Sequence, residues 1–373
     1  MKLEEVKLKD ISINNRGYYG IGASAVAYDE NKYTYLRITD INNDGTLNAA
    51  DLMSVDDKNA RDFLLQKNDI VFARTGASTG RNYFYDGEIN NMVFAGFLIK
   101  FSLDEEKVNP KFIKYYCLSQ KYRNWIASSL TGSTRPNINE RQLAEMPITI
   151  PNRDYQDKIV KILDAITKKV RLNNQINDNL LKFGLGLITE EMKKQSTKEL
   201  RNIIKFIKGK KPINISEIKK DKYLSYLTIA NLNNQENLYA STENVIIADN
   251  DLLMVMDGAS SGDVYYSDYG IVGSTLAKID IIDTSYNQAS IYFILKYFSE
   301  YIKSKNTGSA IPHTDKEIVY KLVIPDIDNQ KKYENILKNI LQLNKQNKIL
   351  EQLRDTLLPK LMNGEIDLDK IEI

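Results

Sequence analysis

The chain has 373 residues, 42% hydrophobic and 27% charged, and its 51 lysines and arginines against 49 acids leave a formal net charge of +2. That is an ordinary globular balance, long enough for two domains that each bury a core, and the net charge by itself announces no polyanionic partner. No apolar run reaches the length of a membrane span, and the N-terminal MKLEEVKLKDISINN lacks the apolar stretch of a signal peptide. The one cysteine, Cys117, cannot form an internal disulfide, which fits a reducing cytoplasm, the expected location. With His313 the one histidine, there is no conventional zinc constellation, and no acidic cluster has ion-loop spacing, so no metal is expected.

In chain order, 33–41, 69–74 and 92–103 are rich in β-branched and aromatic residues and predict strands. Gly76, Gly80 and Gly87 mark turns between them. A helix is predicted over 111–130, with Phe112, Tyr115, Tyr116, Leu118 and Tyr122 on its buried side and Cys117 packed there. The second half repeats the plan, with strands near 223–232, 251–256 and 274–282 and a helix near 288–303. The segment IKGKKPINISEIKK carries Lys208, Lys210, Lys211, Lys219 and Lys220. It reads as a solvated linker or as a phosphate-contacting stretch.

The halves resemble each other block by block. YLRITDIN (35–42) matches YLTIANLN (226–233), and NDIVFARTGASTG (68–80) matches NDLLMVMDGASSG (250–262). TGSTRPNINERQLAEMPITIP (131–151) matches TGSAIPHTDKEIVYKLVIP (307–325), and each half ends in a long periodic helix. Four blocks in one order indicate a duplication. The fold class expected is α+β: two similar mixed α/β domains, each followed by a long helix.

The first helix, 154–183, has Ile159, Ile166, Asn173, Leu180 and Leu187 at heptad position a and Ile162, Lys169, Ile176 and Phe183 at d. Gly184 and Gly186 are expected to weaken its end. The second, about 329–358, has Tyr333, Ile340, Asn347, Arg354 and Leu361 at a and Ile336, Leu343, Leu350 and Leu357 at d. Asn173 and Asn347 fall at equivalent a positions, where a buried polar residue costs stability but fixes register and partner. A helix of about 30 residues is on the order of 45 Å long. It outreaches its own domain, so the two are expected to pair, antiparallel, as a coiled coil in a pseudo-two-fold dumbbell. The alternative is that each helix caps its own domain. Two heads on a rod suit a long regular ligand such as duplex DNA, which repeats about every 34–36 Å.

The C-terminal LEQLRDTLLPKLMNGEIDL (350–368), the paired Thr-Gly-Ser blocks and the two domain-plus-helix units resemble the specificity subunit of Type I restriction-modification systems. The resemblance covers nearly the whole chain. It implies target recognition domains at 1–151 and 191–326, a spacer helix at 152–190, and a second spacer helix with a C-terminal tail at 327–373. It further implies a split, asymmetric double-stranded DNA site, and docking of two modification subunits that methylate adenine N6 and of restriction/translocase subunits. S-adenosylmethionine, ATP and magnesium would belong to those partners, and no cofactor to this chain. In agreement, there is no Pro-Pro of an amino-methyltransferase site, no phosphate loop and no nucleophile–histidine pairing. The chain is therefore expected not to be an enzyme.

Base reading needs donors and acceptors, and phosphate contact needs cations and free N–H groups. The first-unit candidates are Arg74, Thr75, Ser78, Thr79 and Arg81 in one turn and Ser133, Thr134, Arg135 and Asn137 in another. In the second unit they are Ser260, Ser261, Asp263, His313 and Thr314. Each set also reads as polar turn residues that only hold the fold. Asp257 is taken to replace Arg74, Asp263 to replace Arg81 and Ile311 to replace Arg135, as two domains reading different bases would require. Two rivals stay open: the recognition subunit of another multi-subunit restriction-methylation enzyme, and a coiled-coil scaffold whose domains bind proteins.

Overall fold

The computed structural model describes residues 3–48, 51–130, 136–195, 197–233, 236–308 and 312–370. The chain divides into two compact units, 1–170 with 348–373, and 171–347. In the first, strands β2 (Tyr18–Tyr19), β9 (Leu98–Ser102), β6 (Asp69–Ala73) and β7 (Asn82–Tyr85) form one sheet in that order. A second sheet runs β3 (Ala25–Val26), β5 (Met53–Val55), β4 (Tyr33–Leu36), β8 (Met92–Phe94), with β4 and β8 parallel. A separate pair joins β1 (Leu3–Lys7) to β10 (Pro147–Pro151). Helices α1 (Pro110–Tyr116), α2 (Gln120–Ser129) and α3 (Glu140–Ala144) complete the unit.

The second unit repeats that topology. Its first sheet is β12 (Ile204–Lys208), β20 (Leu276–Ile281), β17 (Leu252–Val255), β18 (Val264–Tyr266). Its second is β13 (Ile215–Ser216), β15 (Tyr239–Ser241), β14 (Tyr223–Leu227), β19 (Gly270–Val272), β16 (Ile247–Ala248), with β14 and β19 parallel. Strand β11 (Lys198–Glu199) pairs with β21 (Val323–Ile324). Helices α5 (Ile229–Leu232), α6 (Gln288–Tyr297), α7 (Ser299–Ser304) and α8 (Lys316–Tyr320) follow. The duplication read from four sequence blocks is thus a duplication of strand order.

Several predicted elements are split by local chemistry. The 92–103 strand is two strands in different sheets, β8 and β9, with the chain turning where Gly96 N–H reaches the Ile21 carbonyl. The 111–130 helix breaks after Cys117 because Ser119 caps a new helix by accepting from Tyr122 N–H. The 288–303 helix likewise breaks at Phe298. Strand β4 ends at Leu36, and buried Asp40 accepts from the Arg37 backbone and guanidinium to lock the next turn. In the second half the strand stops at Leu227 and Thr228 caps α5. Residues 207–220 are no linker: they hold the end of β12 and the whole of β13 in the second unit.

Helix α4 (Arg153–Glu191) has 39 residues, roughly 58 Å at 1.5 Å each, and α9 (Lys331–Met362) has 32. Their starts are fastened alike. Gln156 Oε1 accepts from Asn109 N–H at 2.8 Å, and Gln330 Oε1 accepts from Asn287 N–H at 2.7 Å, where Asn109 and Asn287 cap α1 and α6. In the first unit, Ile159 and Leu163 of α4 share a core with Leu358, Leu361 and Met362 of α9, and Tyr155 donates to the Ile366 carbonyl at 3.0 Å. In the second, Ile188 packs with Tyr333, Ile336, Leu337 and Ile340. Asn173 donates to Asn347 at 2.8 Å and to Gln346 at 2.9 Å, Asn347 donates to Asn174 at 2.7 Å, and Asn177 donates to Asn344 at 2.7 Å. Partners on α9 descend as α4 ascends, so the pairing is antiparallel.

The register differs from expectation on α4. Burial falls on Ile159, Leu163, Ile166, Val170, Asn173, Asn177, Leu180 and Gly184, alternating four and three residues. The series begun at Ile159 therefore occupies d, and its companion a series begins at Leu163. Ile162 packs only partly buried against the first core, while Ile176 is 45% and Phe183 59% exposed. On α9, Leu343, Leu350 and Leu357 are half-buried beside buried Leu358 and Leu361.

The helix also runs through both glycines. A Cβ on Gly184 would stand 2.3 Å from the Phe293 ring, whereas one on Gly186 would meet nothing within 4 Å. Gly184 is thus a packing residue, and Gly186 carries only its propensity cost. Gly186→Ala should stabilise the chain by up to about 1 kcal/mol. Gly184→Ala should destabilise it, because overpacking a fully buried ring costs about 1–3 kcal/mol and outweighs that gain. Denaturant midpoints of the two variants decide the matter; equal shifts of one sign would mean that Phe293 does not lie on Gly184.

Candidate nucleic-acid interface

In each unit the strand at the centre of the first sheet, β6 or β17, runs out into a glycine turn. In the first unit Gly76 and Gly80 adopt φ of +72° and +87°, conformations that L side chains rarely adopt. Gly76 N–H donates to the Pro136 carbonyl at 3.0 Å, Ile138 N–H to the Arg74 carbonyl at 2.9 Å, and Thr75 bridges Asn137. The Thr79 hydroxyl donates to Gly76 at 2.7 Å. A Cβ on Gly80 would lie 2.7 Å from Ile126, so α2 seats directly on the turn.

The second unit repeats this lock bond for bond. Gly258 N–H donates to the Pro312 carbonyl at 2.9 Å, Thr314 N–H to Met256 at 2.8 Å, and Asp257 bridges His313. The Ser261 hydroxyl lies 2.7 Å from the Gly258 carbonyl and 2.8 Å from that of Pro312. These bonds correct the sequence match. Asp257 stands where Thr75 stands, Met256 where Arg74 stands, and His313 where Asn137 stands. The exchange of Arg81 for Asp263 holds.

The predicted residues separate into holders and displayers. Ser261 is 1% exposed, Thr314 is buried with its hydroxyl on the Val255 carbonyl at 2.9 Å, and Thr79 is tied to its own turn. Their hydroxyls secure backbone. Arg81 reaches the Ile41 carbonyl at 3.1 Å, and Asp263 pairs with Lys303 at 2.7 Å. Arg74, Ser78 and Ser260 are half-buried at their turns. Ser133, Thr134, Arg135 and Ile311 lie outside the described residues.

The turn also gathers residues that sequence reasoning missed. The Arg74 guanidinium lies 4.9 Å from the centroid of the Tyr19 ring, and Arg74 N–H donates to Phe97, whose side chain is exposed. Arg16 stacks on Tyr18 at 4.6 Å. The equivalent edge in the second unit carries Lys208, whose ammonium lies 3.3 Å from Asp257, and Asp257 lies 2.7 Å from His313 Nδ1. Burial pushes the Asp257 carboxyl up, but His313 and Lys208 together hold it below its usual value. Tyr19 and Lys208 lie more than forty positions before their turns, and sheet pairing brings them there. No local motif announces them.

Among the described residues, no cluster of histidine, cysteine, aspartate or glutamate could hold a metal ion, and no helix is long and apolar enough to cross a membrane. Cys117 is buried, and burial pushes its thiol well above the usual range.

The chain is similar to known proteins. The chain is 28% identical over 169 residues to the Type I restriction enzyme MjaVIII specificity subunit of Methanocaldococcus jannaschii, over 43% of this chain and 40% of that one. It is 30% identical over 129 residues to the HindI specificity subunit of Haemophilus influenzae, over 33% and 27%. The matches thus span less than half the length of these two curated relatives. The fold is that of the crystal structure of the Type I restriction-modification S subunit from M. genitalium, with a TM-score of 0.58 over 97% of this chain and 96% of that one at 18% identity. Residues 2–182 and 192–355 match the family model of the Type I restriction modification DNA specificity domain, and the chain belongs to that family, the non-catalytic DNA-specificity component of Type I restriction-modification systems.

Proposed function

We propose that each unit reads one half of a bipartite, asymmetric site in duplex DNA, through target recognition domains at 1–151 and 191–326. Helix segments 152–190 and 327–373 set the gap between the half-sites. The observation that carries this is the pair of turns with one backbone lock and unlike side chains. Tyr19, Arg74, Ser78 and Asn137, joined by Ser133, Thr134 and Arg135, would serve the first half-site. Lys208, Asp257, Ser260 and His313 would serve the second. Arginine pairs with guanine bidentately and an acid accepts from the cytosine amino group, so the two sets favour different bases. Methylation sequencing of DNA from cells expressing the chain with its modification subunit should return two short motifs separated by unspecified bases. One continuous motif would overturn the reading.

Docking of two modification subunits, and through them of restriction subunits, has support on α4. Leu172, Ile176 and Phe183 are exposed apolar residues at helical spacing, and an uncovered apolar stripe favours a partner. Ile176→Glu with Phe183→Glu should reduce co-purification of the modification subunit at least tenfold and leave thermal stability within a few degrees. Full retention would place the docking face elsewhere.

Reading and holding can be told apart. Arg74→Ala should relax the first half-motif and leave the second intact, with a cost of about 1–3 kcal/mol in discrimination. Ser261→Ala should keep both motifs and lower stability by about 0.5–1.5 kcal/mol, because the turn loses the hydroxyl hydrogen bond while the Gly258 and Pro312 carbonyls keep their backbone donors. Methylome sequencing beside denaturant titration separates the two outcomes; an unchanged first half-motif in Arg74→Ala would remove that residue from the contact set. The spacer role predicts that four residues inserted after Lys169 and four opposite, after Leu350, add about 6 Å. The gap should then widen by nearly two base pairs at 3.4 Å each. An unchanged gap in the methylated motif would mean that the helices do not measure it.

A further inference from the structure

The strands β12 and β14 of the second unit are joined by a segment that neither turn nor helix pairing uses. Residues 209–222 carry Lys210, Lys211, Lys219, Lys220 and Lys222 against two acids, Glu217 and Asp221. All five lysines are exposed, and none has an ion-pair partner among the described residues, although the Lys220 ammonium lies 5.5 Å from the centroid of the Tyr223 ring. The segment is nonetheless built into the fold. Buried Pro212 anchors it after Lys211, and β13 pairs in register with β15, Ile215 opposite Ala240. Ile213 and Ile218 stand 68% and 75% exposed among the lysines. The segment leaves directly from Lys208, which is ion-paired with Asp257 in the candidate turn.

The first unit has no counterpart. Between β2 and β4 it carries one lysine, Lys32, beside Asp29 and Glu30, and Lys32 is paired with Asp56 at 2.7 Å. The difference is one of charge on a shared topology, since β3 pairs with β5 as β13 pairs with β15.

We infer that the 209–222 segment is a phosphate-gripping arm, by which the second unit holds the DNA backbone beside its half-site and the first unit does not. Unpaired cations on a fixed edge suit a polyanion, and continuity with Lys208 places that polyanion at the turn. The exposed isoleucines suit the apolar sugar faces and thymine methyls that flank phosphates. The two half-sites are then held unequally, one without this arm and one with its added salt-sensitive grip. This rests on the DNA reading proposed above.

The test uses the full chain assembled with its modification subunits and a duplex carrying the motif that the wild type methylates. A Lys210→Gln, Lys211→Gln, Lys219→Gln, Lys220→Gln variant is compared with wild type and with Lys32→Gln. Each phosphate contact contributes a slope of about −0.9 to log K against log salt. The quadruple variant should lose about 3 to 4 of that slope and bind more weakly to specific and random duplex alike. The methylated sequence should stay the same, and Lys32→Gln should keep the wild-type slope. An unaltered slope and affinity would overturn the inference, as would loss of modification-subunit binding at constant slope, which would mark a protein-docking surface. Neither result touches the bipartite reading, which fails only if the wild-type motif is continuous.

Discussion

The first unit is closed by a helix end distant in sequence from the sheets it covers, and that closure governs much of the structure. The first unit runs to residue 170 and then needs residues 348–373. Leu358, Leu361, Met362 and Leu368 are buried in its core with Tyr155, Ile159 and Leu163. Tyr155 ties the tail down by donating to Ile366 and accepting from Leu368 N–H. Most apolar positions of the C-terminal run that carries the family resemblance, from Leu357 to Leu368, are therefore core positions of the N-terminal unit. The first unit is not a contiguous stretch of chain, so a truncation before residue 357 would uncover an apolar face more than 180 residues upstream.

The paired helices show what limits such a closure. A purely apolar seam would be stable in several registers, since each heptad offers the same surface. The amide layer removes that freedom. Asn173 is fully buried, and its amide N–H groups find acceptors where Gln346 and Asn347 stand opposite. A slip of one heptad would leave those amides unpaired at about 1–3 kcal/mol each, a larger penalty than most single apolar contacts could offset. Stability is given up at one layer and a single alignment is obtained along the helices.

This division also explains what the sequence made legible. Period and repetition are local or self-similar, so the duplication, the long helices and the matched asparagines could be read directly. Antiparallel pairing followed from helix length and the polar layer. The seam register did not follow, because Ile176 and Phe183 are apolar yet exposed, whereas Asn177 and Gly184 are the residues turned inward. Apolarity marks a partner surface as readily as a core. Gly184 misled for a related reason: its value lies in the space that Phe293 fills, which no local pattern records. At the turns, Arg74 was legible from its motif, but Tyr19, Phe97 and Lys208 were not. Their place is set by which strand edge pairs with which, and Asp257 was matched to the wrong residue until the backbone bridges fixed the alignment.

The two turns finally separate what holds from what reads. The lock consists of backbone donors and acceptors, two glycines of positive φ and one small hydroxyl, Thr79 or Ser261. None of these depends on the side chains at the displayed positions. Arg74 can stand where the other unit has Met256, Thr75 where it has Asp257, and Asn137 where it has His313, with every backbone bond retained. A change of displayed residue then alters surface chemistry at a cost within the small range of exposed substitutions. A fold of this kind can exchange its recognition chemistry without renegotiating its core, because the bonds that define the turn are contributed by atoms that every residue possesses.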